Sequence, residues 1–368
     1  MKPFIPQRLP LEKIDWHLLL PRISQANRAI AEYRGSLFRL RNPEILMSPL
    51  TGQEAVLSSQ IEGTQATLSE VLKFEAGDEA VSETKRNDIQ EILNYRAALQ
   101  AAQERLKTHP FSLNLLLRLH EILLNSVRGY NKNRGYFRKT QNWIGRPGST
   151  QENAQFVPPA AHLLPEYLDN WEKYYHADES DALVQLAIIH AQFELLHPFL
   201  DGNGRLGRIL IPLFLYEKKI LFQPVFYLSS YLERYREIYI EQLHKLGETK
   251  QWETWITFFL EALAQQARNN FIKIQKIMEL YEEFQNVILL TRSQWAIPLL
   301  DQIFKRPLFA GSHLKWEKNH PSAPAILALL KKLVDRNILT ILQQGRGSKS
   351  AIYICPRLIN LCEDKTVF

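Results

Sequence analysis

Cysteine is nearly missing from this chain: its 368 residues include only Cys355 and Cys362. Two thiols near one end supply neither a disulfide framework nor the four ligands of a structural zinc site. A reducing cytoplasm is therefore the expected compartment. No run of about 18 uninterrupted apolar residues occurs, so no membrane span is expected. The first 16 residues have no apolar core of signal-peptide length, so nothing points to export. Internal repeats and low-complexity tracts are lacking too, which argues against solenoids and disordered arrays. What remains is a globular composition, 45% hydrophobic and 23% charged, long enough for two or three domains.

The net charge of +6 is unevenly spread. From Arg292 onward there are 12 Lys and Arg against 5 Asp and Glu, while the remainder holds 33 against 34. The basic character belongs to the last fifth of the chain, and either a polyanionic partner or an ordinary solvated surface accounts for it.

Most of the sequence reads as helix. Ser48-Pro49 has the form of a helix start, a cap residue followed by proline, with the helix running to Ile61 and stopping near Gly63. Thr67-Leu68-Ser69-Glu70 is a capping box. Residues 87–106, 113–127 and 181–196 carry apolar residues three and four apart. In the last of these, Leu183, Leu186, Ala187, His190, Ala191 and Glu194 form one stripe. His190 on that stripe reads as a core histidine, and Trp252, Trp255, Phe258 and Phe259 read as core packing. Residues 137–159 break the helical pattern. Trp143, Ile144, Phe156 and Val157 flank a middle rich in Gly, Pro, Ser and Asn, which predicts a short hairpin with a long tip. Past a boundary near Leu289, helices over 293–304 and 323–337 precede strands at 338–342 and 351–354, with a turn at 345–349. That order suggests a winged helix-turn-helix.

The segment that carries chemistry is His197-Pro198-Phe199-Leu200-Asp201-Gly202-Asn203-Gly204-Arg205-Leu206-Gly207-Arg208. A helix must end before Pro198, and the apolar run 209–216 starts another. Gly-Asn-Gly between them permits backbone conformations in which successive N–H groups face one concavity. That concavity lies at a helix N-terminus, where free N–H groups and the dipole favour an anion. Arg205 and Arg208 are three apart and share a helix face, and guanidinium groups grip phosphate oxygens in pairs. Asp201 would repel phosphates unless a cation lay between, so it reads as a Mg²⁺ ligand. His197 titrates near neutrality and can accept a proton from an attacking hydroxyl. Taken singly, a histidine before proline is usually structural, Gly-Asn-Gly is usually a turn, and paired arginines are usually surface. Their concentration in twelve residues is what points to a site. The P-loop ending and the strand that precedes a dinucleotide fingerprint are both missing.

This segment is identified with the signature of the Fic family, H-P-F-x-D-G-N-G-R-x-x-R, and the resemblance extends over residues 48–264. It implies an all-α Fic core with a short β-hairpin flap, followed by a small winged helix-turn-helix domain like that appended to some bacterial members. The expected division is 1–110 for an N-terminal helical region, 111–288 for the catalytic core and 289–368 for the C-terminal domain. The implied activity is transfer of AMP from ATP to Ser, Thr or Tyr hydroxyls of target proteins, self-modification included, with Mg²⁺ or Mn²⁺ as cofactor. The resemblance implies His197 as base and Asp201 as metal ligand. It further implies Gly202, Asn203 and Gly204 as phosphate cradle, Arg205 and Arg208 on the β and γ groups, and Leu206 and Gly207 within the phosphate-binding stretch. Family members that phosphorylate instead lack the full glycine and arginine set, which this chain keeps. Trp143, Ile144 and Gly145 occupy the place of a flap that pairs with an extended target backbone; a merely structural hairpin is the alternative. Tyr239 matches the first of two adjacent tyrosines of the adenine pocket, and Ile240 replaces the second.

Ser58-Ser59-Gln60-Ile61-Glu62-Gly63 fits the family's inhibitory pattern. Glu62 lies at a helix C-terminus, where the dipole disfavours an anion by about 0.3–1 kcal/mol. The resemblance pairs Glu62 with Arg208, on the site meant for the γ-phosphate; a solvated glutamate is the alternative. In the C-terminal region Lys331, Lys332, Arg336, Arg346 and Lys349 are placed to meet DNA phosphates. A DNA-binding regulator with the core as nucleotide sensor is thus the rival reading. Winged helices also serve in homodimers and protein docking.

Overall fold

The computed structural model of the chain describes residues 2–40, 42–77, 82–127, 131–145, 148–316, 321–347 and 350–368. Helices account for 64% of it. In chain order they are α1 (Trp16–Phe38), α2 (Pro43–Ile61), α3 (Leu68–Glu75), α4 (Glu83–Leu106), α5 (Leu113–Leu123), α6 (Leu164–His176) and α7 (Ala182–Leu196). There follow α8 (Asn203–Glu217), α9 (Ser229–Arg234), α10 (Arg236–Thr249), α11 (Trp252–Leu289), α12 (Ala296–Lys305), α13 (Ala323–Asp335) and α14 (Pro356–Glu363). The strands are β1 (Leu308–Ala310), β2 (Thr340–Gln343) and β3 (Ile352–Ile354). Two compact bodies interleave along the chain. One holds residues 1–34, 57–64 and 90–268, and the other holds 35–56, 65–89 and 269–368.

The first body is organised around α7. Asp181 caps it, its carboxylate accepting from the N–H groups of Leu183 and Val184 at 2.9 and 3.0 Å. Every residue from Leu183 to Leu196 is buried. This corrects the single apolar stripe expected over 181–196: a helix covered on all sides has no polar face for a stripe to oppose. Helices α6, α8 and α10 pack on it. The indoles of Trp171 and Trp255 donate to the carbonyls of Ile189 and Ala187 at 2.9 and 2.8 Å. Both tryptophans are buried, and their N–H groups reach acceptors on the central helix. No helix among the described residues is long and apolar enough to cross a membrane.

The hairpin expected over 137–159 is reduced to one antiparallel bridge between Ile144 and Phe156 among the described residues. Its backbone bonds are Ile144 N–H to Phe156 O at 2.8 Å and Phe156 N–H to Ile144 O at 3.1 Å. Local bonds compete with further pairing: the Trp143 indole donates to Ser149 O at 2.8 Å, and Thr150 N–H donates to Asn153 Oδ1 at 2.7 Å. Such side-chain-to-backbone bonds offer the chain an alternative to a ladder.

In the second body α2 begins six residues before the expected Ser48-Pro49. The rule of cap residue then proline is satisfied at Asn42-Pro43, with Ile45 and Leu46 N–H groups donating to Asn42 O. Pro49 lies inside the helix. The capping box forms as expected: Thr67 Oγ1 accepts from Glu70 N–H, and Glu70 Oε2 accepts from Thr67 N–H at 2.8 Å. Strands β2 and β3 fall where strands were expected, and a third, β1, completes an antiparallel sheet in the order β1-β3-β2. Phe309 and Ile341 both pair with Tyr353. Of the expected turn at 345–349, Ser348 and Lys349 lie outside the described residues. Cys355 and Cys362 are free and buried, and burial pushes both thiols up to about 12.

Candidate active site

Helix α7 stops at Leu196, and His197 takes a left-handed conformation, φ 44° and ψ 60°. That region is uncommon for a residue with a side chain, so something must hold the turn. Arg138 does. Its Nε donates to His197 O at 2.9 Å, its Nη1 to Thr140 O at 3.1 Å, and its Nη2 to Pro159 O at 2.5 Å. Its backbone N–H donates to Pro198 O at 2.9 Å. Asn142 adds a donor to Phe199 O at 3.0 Å. A buried cation spent on carbonyls at a helix C-terminus satisfies both the orphan acceptors and the dipole.

The His197 Nδ1–H points at Glu194 O, 3.4 Å away. Its Nε2 makes no hydrogen bond among the described residues. Burial pulls the imidazole down to about 4, against the upward influence of Glu62. The ring is therefore neutral near pH 7, with a lone pair on Nε2.

The loop after His197 is clamped from within. Asn203 Oδ1 accepts from Phe199 N–H, and Asn203 Nδ2 donates to Phe199 O, both at 2.9 Å. The Asn203 side chain thus closes the loop. Gly202 caps α8 at φ 80°, with no side-chain cap, so the first N–H groups of α8 have no partner inside the helix. Leu206 is buried in the core. His120 stacks on Phe199, ring centres 3.9 Å apart. Gly135 N–H donates to its Nδ1 at 2.9 Å, so the proton sits on Nε2 and is donated to Asp201 O at 3.1 Å. Burial lowers His120 to about 4, which keeps that tautomer neutral.

Both motif arginines are buried. Arg208 donates from Nε to Ser58 Oγ at 2.8 Å, and from Nη2 to Ser58 O at 2.9 Å and Glu62 Oε1 at 2.7 Å. The arginine is 2% exposed and the glutamate 35%. Burial pushes the Glu62 carboxyl up, but Arg208, with Arg205 and His197 nearby, holds it below the usual carboxylate range. Close approach depends on glycine: a Cβ on Gly204 would strike the Glu62 carboxylate, and one on Gly207 would strike Glu194. Glu194 Oε1 is buried with no hydrogen-bond partner. Burial lifts this carboxyl to about 8, Arg208 pulls it down and Glu62 pushes it up. Arg205 donates from Nη1 to Glu91 Oε2 at 2.8 Å and from Nη2 to Asp201 Oδ1 at 3.3 Å.

Tyr239 lies in the core, 4% exposed. Its hydroxyl donates to His190 Nε2 at 3.0 Å, while His190 Nδ1–H donates to Gly207 O at 3.2 Å. Trp143 and Ile144 are exposed beside Gly145, at the base of the single bridge. Sequence reasoning missed Glu91, His120, Arg138 and Glu194 as parts of the site. Glu91 had a legible signal, since Glu91, Tyr95, Ala98 and Ala102 lie three or four apart and all are buried. An acid on an apolar stripe demands a partner. Arg138 had none.

Residues 20–104 match the Fic/DOC family N-terminal region, and residues 110–215 match the Fic/DOC family itself. A probable protein adenylyltransferase of Aquifex aeolicus is 28% identical over 212 residues, 56% of this chain and 58% of that protein. The protein adenylyltransferase Fic of Drosophila grimshawi is 28% identical over 155 residues, 41% of this chain and 30% of its own. The chain thus spans less than two thirds of these relatives. Among solved structures, a Fic family protein from Desulfovibrio desulfuricans superposes with a TM-score of 0.60 at 17% identity, over 95% of this chain and 98% of that one. A Fic domain containing signaling protein from Bacteroides thetaiotaomicron gives 0.55 at 16%, over 69% and 97%. At such identities the likeness is one of fold. With the matched regions spanning the His197–Arg208 loop, the chain is a Fic-domain protein.

Proposed function

We propose that the chain is a protein adenylyltransferase that moves AMP from ATP to a hydroxyl of a protein, its own included. The observation that carries this reading is the placement of a neutral His197, with Nε2 unengaged, beside an uncapped helix N-terminus and two buried arginines. The target hydroxyl oxygen would form the new bond to the α-phosphorus. The bond from that phosphorus to the bridging oxygen would break, and pyrophosphate would leave. The hydroxyl proton would go to His197 Nε2. An imidazole held near 4 is a weak base; the negative charge of bound phosphates would raise it toward the operating range. The N–H groups at the start of α8 would receive phosphate oxygens.

Asp201 suits a divalent metal of the Mg²⁺ type. Its carboxylate is 29% exposed and gives one oxygen to Arg205, and no group of three His, Cys, Asp or Glu gathers around a point among the described residues. One carboxylate with substrate phosphates is how Mg²⁺ or Mn²⁺ is commonly held. When bound, the ion would neutralise phosphate charge.

Glu62 is the proposed brake, with Ser58 as its partner on Arg208. An arginine whose Nε and Nη2 are committed to Ser58 and Glu62 cannot offer the paired donors that grip a γ-phosphate from that side. Trp143, Ile144 and Gly145 are the proposed flap, offering a short exposed edge to a target backbone. We retain the division at 1–110, 111–288 and 289–368, with the last segment as a winged-helix docking module. The two buried free thiols suit a reducing compartment. A second reading has one observation in its favour: Lys331, Lys332, Arg336 and Arg346 are all exposed. A DNA-binding module would show duplex affinity falling steeply with salt; unchanged mobility of duplexes at low salt would remove it. For the main reading, protein labelled by ATP carrying its label in the α-phosphate, and unlabelled when the label is in the γ-phosphate, is the expected result. The reverse pattern would make the chain a kinase.

A further inference from the structure

Arg205 was expected to grip phosphate, and its side chain is also engaged by two carboxylates. Its side chain is 1% exposed. Nη1 is bonded to Glu91 Oε2 and Nη2 to Asp201 Oδ1, and Nε is buried with no hydrogen-bond partner. Glu91, on α4, is 3% exposed, and Asp201 is the outermost member of the three. The order from core to site is therefore carboxylate, guanidinium, carboxylate. Glu91 offsets the charge of Arg205 and so weakens its attraction for a phosphate. Glu91 also fixes where the guanidinium plane lies, because Arg presents its donors in a rigid fork.

We infer that Glu91 is a positioning residue that acts through Arg205 to hold the Asp201 carboxylate in its metal-binding orientation. The inference rests on the reading of Asp201 as metal ligand. Asp201 is then anchored twice. His120 Nε2–H holds its carbonyl, and Arg205 holds one carboxylate oxygen. Partners of this outer kind commonly govern metal affinity by about 10–100-fold. A carboxylate held by an arginine loses little freedom on binding a cation, while its second oxygen remains available.

The test compares nucleotide affinity with and without metal, using the full chain and a fluorescent ATP analogue titrated in excess Mg²⁺ or in excess chelator. In the wild type, Mg²⁺ should strengthen binding. In Glu91→Gln the metal-dependent gain should shrink by about tenfold, while affinity in chelator stays within about twofold. A Gln keeps the shape but leaves Arg205 uncompensated; breaking a buried pair is destabilising, so a melting curve accompanies each titration. Should Glu91→Gln not fold, Glu91→Asp carries the test. Aspartate keeps the buried charge but is one methylene too short to hold the guanidinium in place against Asp201, and the same selective loss is expected. Equal loss of affinity with and without metal would make Glu91 merely structural and overturn the inference, as would an undiminished metal-dependent gain in the variant. Absence of any Mg²⁺ effect in the wild type would instead sink the assignment of Asp201.

Discussion

Replacing Glu194 by glutamine tests the electrostatics of the site without touching a group assigned to chemistry. Glu194 lies one turn before His197 on the fully buried α7. One of its oxygens has no hydrogen-bond partner. Burial lifts its carboxyl to about 8, and Glu62 adds to the lift while Arg208 opposes it. The folded chain therefore keeps a proton that the unfolded chain releases near the ordinary carboxylate value of 4.5. Stability linked to this group is fully present below about pH 4.5, declines as pH rises, and is lost once pH passes through about 8. Within that window the slope is at most about 1.4 kcal/mol per pH unit. A glutamine side chain has nothing to titrate, so the Glu194→Gln variant lacks this slope. Urea denaturation followed by tryptophan fluorescence is a suitable assay, because Trp171 and Trp255 are bonded to α7. Between about pH 5.5 and 7.5, wild-type stability should fall relative to Glu194→Gln by roughly 1 kcal/mol per pH unit. Parallel profiles would mean that Glu194 ionises normally and that the buried acid is misjudged.

His197→Ala should lose target modification by about 10²–10⁴-fold while the fluorescent analogue binds as before; near-wild-type labelling would remove His197 as base. Glu62→Gly should move two quantities in opposite directions. Label transfer should rise, and melting without nucleotide should occur earlier, since a charge-assisted bond to a buried arginine contributes about 1.5–3 kcal/mol, less here because Glu62 is a third exposed. Equal transfer by both proteins would make Glu62 an ordinary surface acid. Arg236 donates from Nε to Ile61 O at 3.0 Å, holding the last turn of α2 just before Glu62. Arg236→Ala should raise transfer in the wild type and add nothing in the Glu62→Gly background; an equal rise in both would show that it acts elsewhere than on the brake.

Local features were the legible ones. The Thr67–Glu70 capping box was readable because a cap is decided within four residues. The same rule misplaced the start of α2, because Asn42-Pro43 and Ser48-Pro49 both satisfy it and only packing chooses. The His197–Arg208 segment was legible because its residues are consecutive. Its supports were not: Glu91 lies 114 positions from Arg205, and Arg138 is 59 from His197. No periodicity links such pairs. Amphipathic reasoning failed on α7 because the helix has no solvated face. Strand β1, three residues long, and helix α14, eight residues long, are too short for a period to show.

Intact-mass analysis of purified Glu62→Gly protein after incubation with ATP and Mg²⁺, alone and with cell lysate, bears most directly on the adenylyltransferase reading. A mass gain of AMP minus one water is expected on the protein or on a lysate protein, lost when His197→Ala is added. A gain equal to a phosphate, or unchanged masses throughout while nucleotide binds, would contradict it.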